Sequence, residues 1–400
     1  CWVVRCVNQG CLMTDELIGV KCAFVGWNPF HLQFVAPILM RLPNAVFLLE
    51  PKKEGFEYFD EALLNRLGSR IVRLRKYELL DFDGQFDVLV CQSPFAQIHE
   101  FKKTRIVMLQ YGYAKEPHNY GAWRAFADLN LVYGEYAAQR IARFSPVVAV
   151  GHPVFDVWLS SDFHQSVRAR FASVLLPHRK TVLYAPTWGD LSSLPMFFSA
   201  VEGLASGFNV LIKIHHNAQI LENVRGSNYS HHSNVHFFGS DTQLMDLLSV
   251  ADVVISDYSG AIFDAVLCER PVVLLSSPNA LVSEKMDEFC LEFHQRDVLG
   301  VQVENPVELY SVVSALLSKP KLQLDKVAQL RKELFVCEYG AVDRIMSALQ
   351  GLVLGEFHAP KKQLYIRSYM RQAYNYRRGR VKGLWIGVLR RLHRLRRWRW

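Results

Sequence analysis

Three short polar clusters, each at the end of an apolar run, hold the side chains best suited to chemistry. The first is Ser256-Asp257-Tyr258-Ser259-Gly260, between a strand pattern at 253–255 and an apolar helix pattern at 261–268. A turn at the carboxyl end of a strand and at a helix N-terminus presents free backbone N–H groups and a favourable dipole to phosphate. Ser259 adds a hydroxyl donor, and Gly260 lets a phosphate approach the backbone. Asp264, one helical turn deeper, can accept ribose hydroxyls. The plain alternative is an ordinary strand–turn–helix in which Ser256 or Asp257 is the N-cap. The second cluster is Ala185-Pro186-Thr187-Trp188-Gly189. It puts Thr187 and the Trp188 indole at the carboxyl edge of a strand, where ligands bind in open α/β sheets; the alternative is a turn with a packed indole. The third closes the run Leu211-Ile212-Lys213-Ile214-His215-His216-Asn217. Strand alternation sets Lys213 and His215 on one face and His216 on the other. Two histidines beside a lysine at a strand end suit phosphate contact or proton transfer.

These clusters need a frame of strands and helices. Apolar runs predict strands at 20–25, 45–49, 86–91, 105–109 and 129–133, then at 181–184, 209–214, 235–238, 253–256 and 271–275. Helix patterns fall at 196–205, 242–250, 261–268, 306–317 and 341–352. Such alternation argues parallel sheets covered by helices. Ten strands exceed one compact unit, so two Rossmann-like domains are expected, at 14–160 and 175–355. A polar, helical stretch at 157–180 joins them.

Composition narrows the class. Of 400 residues, 50% are apolar and 21% charged, which supplies packed cores and excludes wholesale disorder. No apolar run approaches the roughly 18 residues of a membrane span, and no signal-peptide layout is present. The chain begins at Cys1, so the natural start is expected upstream or at Met13. Cys22, Cys91 and Cys268 sit in apolar runs and read as core residues. Cys1, Cys6 and Cys11 match no common zinc spacing. The cysteine usage fits a reducing, cytoplasmic compartment, and no metal site is expected. Lys plus Arg number 46 against 38 Asp plus Glu, a net charge of +8. Residues 361–400 carry 14 of the cations and no acid, leaving −6 on the body. A uniformly basic nucleic-acid binder is not built this way.

The segments Ala185-Pro186-Thr187-Trp188, Ile212-Lys213-Ile214-His215-His216-Asn217 and 255–275 resemble, in order and spacing, the CDP-glycerol glycerophosphotransferase family of teichoic-acid primases and polymerases. Gly151-His152-Pro153-Val154-Phe155-Asp156 is similar to the family's Gly-x-Pro-x-x-Asp at the domain junction. In the family's (S/T)DYSS turn, Gly260 here replaces the second serine. The resemblance implies a GT-B architecture, two Rossmann-like domains facing across a cleft, with the acceptor on the first and a CDP-linked donor on the second. It implies donor phosphate on Ser259 and Gly260, ribose on Asp264, phosphate or glycerol near Thr187, and an activity-bearing role for His215. Trp188, Lys213, Ser256 and Asp257 complete the expected donor site, with no further cofactor. Where the family has Trp-His-Gly, this chain has Gln110-Tyr111-Gly112. A tyrosine, with a pKa near about 10, is a poor base at neutral pH. His31 and His118 are therefore the additional base candidates.

The tail interleaves its cations with tyrosines and tryptophans. Leu384, Val388, Leu392 and Leu395 share a helical face with Trp385, flanked by arginines. That pattern suits an anionic membrane surface; a nucleic-acid arm or an inert tail are the alternatives. The expected partners are CDP-glycerol or a related donor, a lipid-linked or polymeric glycan acceptor, and the inner face of the cell membrane. Two rival functions stay open: a GT-B glycosyltransferase using a CMP- or UDP-sugar, and a non-enzymatic membrane- or RNA-binding protein on a degenerate transferase fold.

Overall fold

A computed structural model describes residues 20–50, 59–75, 78–95, 97–215, 218, 232–280, 283, 284 and 286–375. Met13, the first three cysteines, His216 and the arginine-rich part of the tail lie outside the described residues. The described chain builds two parallel sheets. The first contains β1 (Cys22–Gly26), β2 (Val46–Leu49), β3 (Ile71–Arg73), β4 (Val88–Cys91), β5 (Arg105–Leu109), β6 (Leu129–Val132) and β7 (Val147–Ala149). Their order is β3-β2-β1-β4-β5-β6-β7. The second contains β8 (Thr181–Tyr184), β9 (Asn209–Lys213), β10 (Val235–Phe238), β11 (Val253–Ser256), β12 (Val272–Leu275) and β13 (Val301–Val303), ordered β10-β9-β8-β11-β12-β13. Both orders reverse beside the first strand of their sheet, which opens a crevice at the carboxyl edge. Strands such as Val-Leu-Val-Cys in β4 and Val-Val-Leu-Leu in β12 are apolar throughout because helices cover both faces. Cys22, Cys91 and Cys268 are buried and free, as core thiols.

All ten expected strands form. The three additional strands, β3, β7 and β13, are three-residue edges, too short to show a period.

The domain limits differ from expectation at the C-terminal end. The helix Ala341–Leu354 packs on the helices Pro29–Arg41 and Phe155–Trp158 of the first domain, not on the second sheet. Asp156 fixes it there: its carboxylate accepts the N–H groups of Gly340, Ala341 and Val342 at 2.8–2.9 Å. The aspartate of the junction motif is thus a helix cap. Arg344 Nε reaches Val150 O at 2.9 Å, and Arg41 pairs with Asp343 at 2.9 Å. Helical periodicity reveals an amphipathic helix but not which sheet it covers.

The basic tail is also not free from its first residue. Residues 361–375 form a helix seated on the first domain. Gln363, fully buried, donates to Ala125 O and Ala127 O, and Tyr374 stacks on His99. Tyr113, wholly buried, lies against Tyr133 of its own domain and Phe263 of the other, so the two domains meet on aromatic packing.

Candidate functional site

The cleft between the domains runs along the carboxyl edges of both sheets. Thr187, Lys213, His215, Ser259 and Gly260 line it from the second domain, and Phe30, Tyr111 and Lys115 from the first. The reversal of strand order brings these together: β8 and β11 are neighbours, and β9 flanks β8.

The turn after β11 is held by two residues that sequence reasoning assigned to the donor. Asp257 is fully buried. Its Oδ1 accepts Thr187 N at 2.8 Å and Tyr258 N at 2.7 Å; its Oδ2 accepts Ser193 N and Ser193 Oγ, both at 2.8 Å. No oxygen of it faces the cleft. Burial pushes its pKa up, against the pull of those donors. Ser256, also fully buried, donates from Oγ to Ala185 O at 2.7 Å. Both tie the Thr187 segment to the end of β11 and are positioning residues, which corrects their expected role as donor contacts. Arg296 adds a third tie, donating to Asp257 O at 3.0 Å and Leu275 O at 2.6 Å.

Ser259 and Gly260 do face the cleft. A Cβ built on Gly260 meets nothing within 4 Å, so the cleft floor there is open backbone. The helix that follows, Ala261–Leu267, has only seven residues, and the Ser259 hydroxyl already accepts its first N–H, from Ala261, at 3.3 Å. Its dipole alone is a modest source of positive potential. The larger source is lysine. Lys213 is half-buried, its Nζ donates to Gly239 O, and burial lowers its pKa to about 8. It stays largely protonated at neutral pH. Lys115, which sequence reasoning did not single out, enters from the other domain: its Nζ lies 3.2 Å from Thr187 Oγ1. It adopts a left-handed backbone, φ 60°. Its backbone N–H donates to Glu292 Oε1 at 2.6 Å. A lone lysine after a strand carries no periodic signal; only the cleft reveals it.

Glu292 is fully buried, and its Oε2 has no hydrogen-bond partner among the described residues. Burial raises its pKa from 4.5 to about 7. A carboxyl raised in the folded state contributes stability that is complete below about pH 4.5 and is lost as pH rises through 7. Glu292→Gln keeps an acceptor for Lys115 and never ionises. It is expected to be about 3 kcal/mol more stable than the wild type at pH 8. The two should coincide near pH 4. Urea denaturation at both pH values checks this; equal stabilities at pH 8 would refute it.

The remaining expected site residues are placed as follows. Trp188 is half-buried against the core of the second domain, its ring 6.2 Å from that of His215. It backs the histidine and does not line the cleft. Asp264 lies one turn below Gly260 and faces His152 Nε2 at 3.9 Å; burial raises its pKa to about 7 and lowers that of His152 to about 3. Asp264 therefore meets the junction histidine and is absent from the cleft wall lined by Ser259. Neither further base candidate reaches the cleft. His31 is buried behind Phe30 and Tyr111, its ring 5.7 Å from that of Tyr111 and its Nδ1 accepting Trp27 N. His118 is exposed on the short helix Glu116–Asn119 and points to solvent. Burial pushes the Tyr111 pKa up to about 12, further from a base. Among the described residues, no group of three His, Cys, Asp or Glu side chains could hold a metal ion, and no helix is long and apolar enough to cross a membrane.

Comparison with known proteins places this geometry. Residues 135–348 match the family model of CDP-glycerol:poly(glycerophosphate) glycerophosphotransferases. No curated protein matches the chain by sequence. Among solved structures, the wall teichoic acid polymerase TagF superposes with a TM-score of 0.60 at 14% identity, over 84% of this chain and 89% of that one. The UDP-GlcNAc 2-epimerase of Neisseria meningitidis, bound to UDP-GlcNAc, gives 0.58 at 14% identity, over 84% and 100%. The S. aureus MnaA complex with UDP gives 0.55 at 13% identity, over 84% and 97%. At these identities the likeness is one of fold, and that fold is GT-B.

Proposed function

The chain belongs to the CDP-glycerol:poly(glycerophosphate) glycerophosphotransferase family and is a transferase, and on that premise we propose which group it transfers and with which residues. The donor is CDP-glycerol or a close CDP-polyol. The acceptor is a hydroxyl of a lipid-linked or polymeric glycan, and the product extends a cell-surface polymer at the inner face of the membrane. The basic tail keeps the enzyme at that surface.

The observation that carries this reading is the convergence of Lys115, Thr187, Lys213, His215 and Ser259 on one cleft around an open glycine backbone. Two lysines, two hydroxyls and a backbone without side chain match a diphosphate better than a neutral ligand. In the proposed step the acceptor oxygen attacks the phosphorus that bears the glycerol. Its proton passes to His215. The P–O bond to the bridging oxygen breaks, and CMP leaves with the electron pair. Phosphoryl transfer depends mostly on positioning and on offsetting charge, so Lys115 and Lys213 on either side of the diphosphate are the main catalytic electrostatics. The reaction as written uses no cofactor besides the donor.

One observation favours a second reading, a CMP- or UDP-sugar donor: Tyr111 stands where the family's histidine is expected. A thermal-shift series on the full chain separates the two. CDP-glycerol at 100 times its Kd should add about 2.7 kcal/mol of stability; UDP-sugars should add nothing. Release of CMP with acceptor present completes the assignment. Gly260→Leu fills the open floor, and the CDP-glycerol shift should vanish with the unliganded melting point little changed. Gly260→Ser restores the family's serine and should keep the shift. A shift from UDP-sugars alone would transfer the assignment to the second reading.

A further inference from the structure

The cleft lysine of the first domain is held by a carboxyl of the second. On either side of Lys115 the chain is tied to its own domain. Asn119 Nδ2 donates to Ala114 O at 2.7 Å, and the Glu116 carboxylate takes the Tyr136 hydroxyl and, at 3.4 Å, Arg140 Nε. The N–H and the ammonium of Lys115 both turn to the second domain, the first to Glu292 Oε1 at 2.6 Å and the second to Thr187 Oγ1 at 3.2 Å. The Lys115 backbone is left-handed, φ 60° and ψ 61°, where the Cβ of an L-residue crowds the following carbonyl. Such a conformation persists only where the surroundings hold it. Glu292 is suited to hold it. It is wholly buried on the short helix Leu291–His294. Arg296, just beyond that helix, donates from Nη1 to Glu292 O at 3.4 Å and to Asp257 O at 3.0 Å. Asp257 in turn accepts Thr187 N at 2.8 Å. Lys115, Thr187, Asp257, Arg296 and Glu292 thus close a ring of hydrogen bonds that crosses between the domains twice.

We propose that Glu292 is a positioning residue for the transfer reaction: through the Lys115 backbone it sets the lysine ammonium against Thr187, in the diphosphate half of the cleft. Glu292 touches no substrate in this role. The inference deepens the transferase reading and rests on it for the ligand, but not for the placement of Lys115. The lever is the side chain's length. Lysine carries its charge on a flexible four-carbon stem, so a rotation at the Lys115 Cα swings the ammonium away from the phosphate it must meet. Charge stabilises a transition state in proportion to how well it is placed beforehand. Because the acceptor oxygen belongs to the second domain, Lys115 reaches its place only while the two domains are in contact, and the donor site is completed by that contact. The role needs an oxygen and not a charge. A carboxylate, a protonated carboxyl and an amide each offer an acceptor to an N–H.

Two measurements on the full chain test this, one with ligand and one without. In the first, CDP-glycerol is titrated calorimetrically into wild type, Glu292→Met, Glu292→Gln, Lys115→Met and the double variant Glu292→Met/Lys115→Met. Glu292→Met should weaken binding at least about tenfold, as a misplaced contact does, and Glu292→Gln should restore it to within about threefold of wild type. The double variant should bind within about twofold of Lys115→Met, because a residue acting through another adds no loss of its own. In the second, lysines of the unliganded protein are acetylated with acetic anhydride and followed by mass spectrometry, with the exposed Lys319 as the internal reference. Relative to that reference, Lys115 should react at least about threefold faster in Glu292→Met than in wild type or Glu292→Gln. Melting points within a few degrees of wild type certify folding, and Glu292→Leu replaces Glu292→Met if the latter fails. Additive losses in the double variant would make Glu292 merely structural and overturn the inference. A Gln variant as weak as Met would also overturn it, since charge and not the acceptor oxygen would then be at work. Unchanged labelling of Lys115 in Glu292→Met would overturn it whatever the ligand. Should wild type bind no CDP-glycerol, the transferase reading loses its donor, and the labelling alone decides the role of Glu292.

Discussion

His215→Ala is expected to lower turnover of CDP-glycerol by about 10²–10⁴-fold, the usual contribution of a positioned general base. The expectation follows from where the side chains lie. His31 is buried behind an aromatic layer, His118 faces solvent, and the Tyr111 hydroxyl is pushed to about 12. His215 is the histidine on the cleft wall among the described residues, two residues past Lys213 at the end of β9 and backed by the Trp188 ring. Its alternation with the buried Ile214 aims the imidazole at the cleft. The fold should tolerate the change, because the ring is half-buried at a strand end and not in either core. A base and a phosphate contact give different kinetics. Loss of a base lowers kcat at nearly constant KM, removes the acid limb of the pH profile, and is partly restored by added imidazole. Loss of a phosphate contact raises KM and leaves the limb in place. Turnover within threefold of wild type would remove His215 from the chemistry.

How much of this was legible in the sequence depends on the range over which each feature is decided. Strands buried on both faces announce themselves as continuous apolar runs, so β4, β5, β11 and β12 were readable from four or five residues each. The edge strands β3, β7 and β13 were not, because three residues on a sheet border need only one apolar face. The turn after β11 was readable as a special place, but its division of labour was not. Ser259 and Gly260 open into the cleft, whereas Ser256 and Asp257 turn inward to hold Ala185, Thr187 and Ser193, 64 to 71 residues away. Residue types suited to binding phosphate are equally suited to capping backbone N–H groups. The choice between those roles is made by the tertiary neighbours. Lys115 shows the same limit from the other side. An isolated lysine after β5 becomes a cleft residue only because the second domain brings Thr187 to its Nζ and Glu292 to its N–H. The helix Ala341–Leu354 was visible as a helix, and its return to the first domain was visible only through Asp156.

Asp257→Ala should be the most damaging single substitution in the second domain. It leaves Thr187 N, Tyr258 N, Ser193 N and Ser193 Oγ, all buried, without their acceptor. Part of the loss is recovered: Ser193 Oγ retains the Tyr184 hydroxyl at 2.8 Å. Among the described residues the buried N–H groups have no such second partner, and an orphaned buried donor costs about 1–3 kcal/mol. The net destabilisation is about 4 kcal/mol, measured as a shift of the urea midpoint at unchanged slope. Ser256→Ala supplies the scale. It removes one neutral bond to Ala185 O, about 1 kcal/mol. Asp257→Asn should fall between them, because its amide meets Ser193 N–H donor to donor on one side and keeps Thr187 N on the other. Function should fail before folding does. At temperatures where Asp257→Ala is still folded, the Thr187 segment is released from β11, and CDP-glycerol should no longer raise the melting point. Comparable losses for Asp257→Ala and Ser256→Ala, with ligand binding gone only in the former, would reverse the assignment. The carboxylate would then be a ligand contact, and the tie between the strand ends would rest on packing alone.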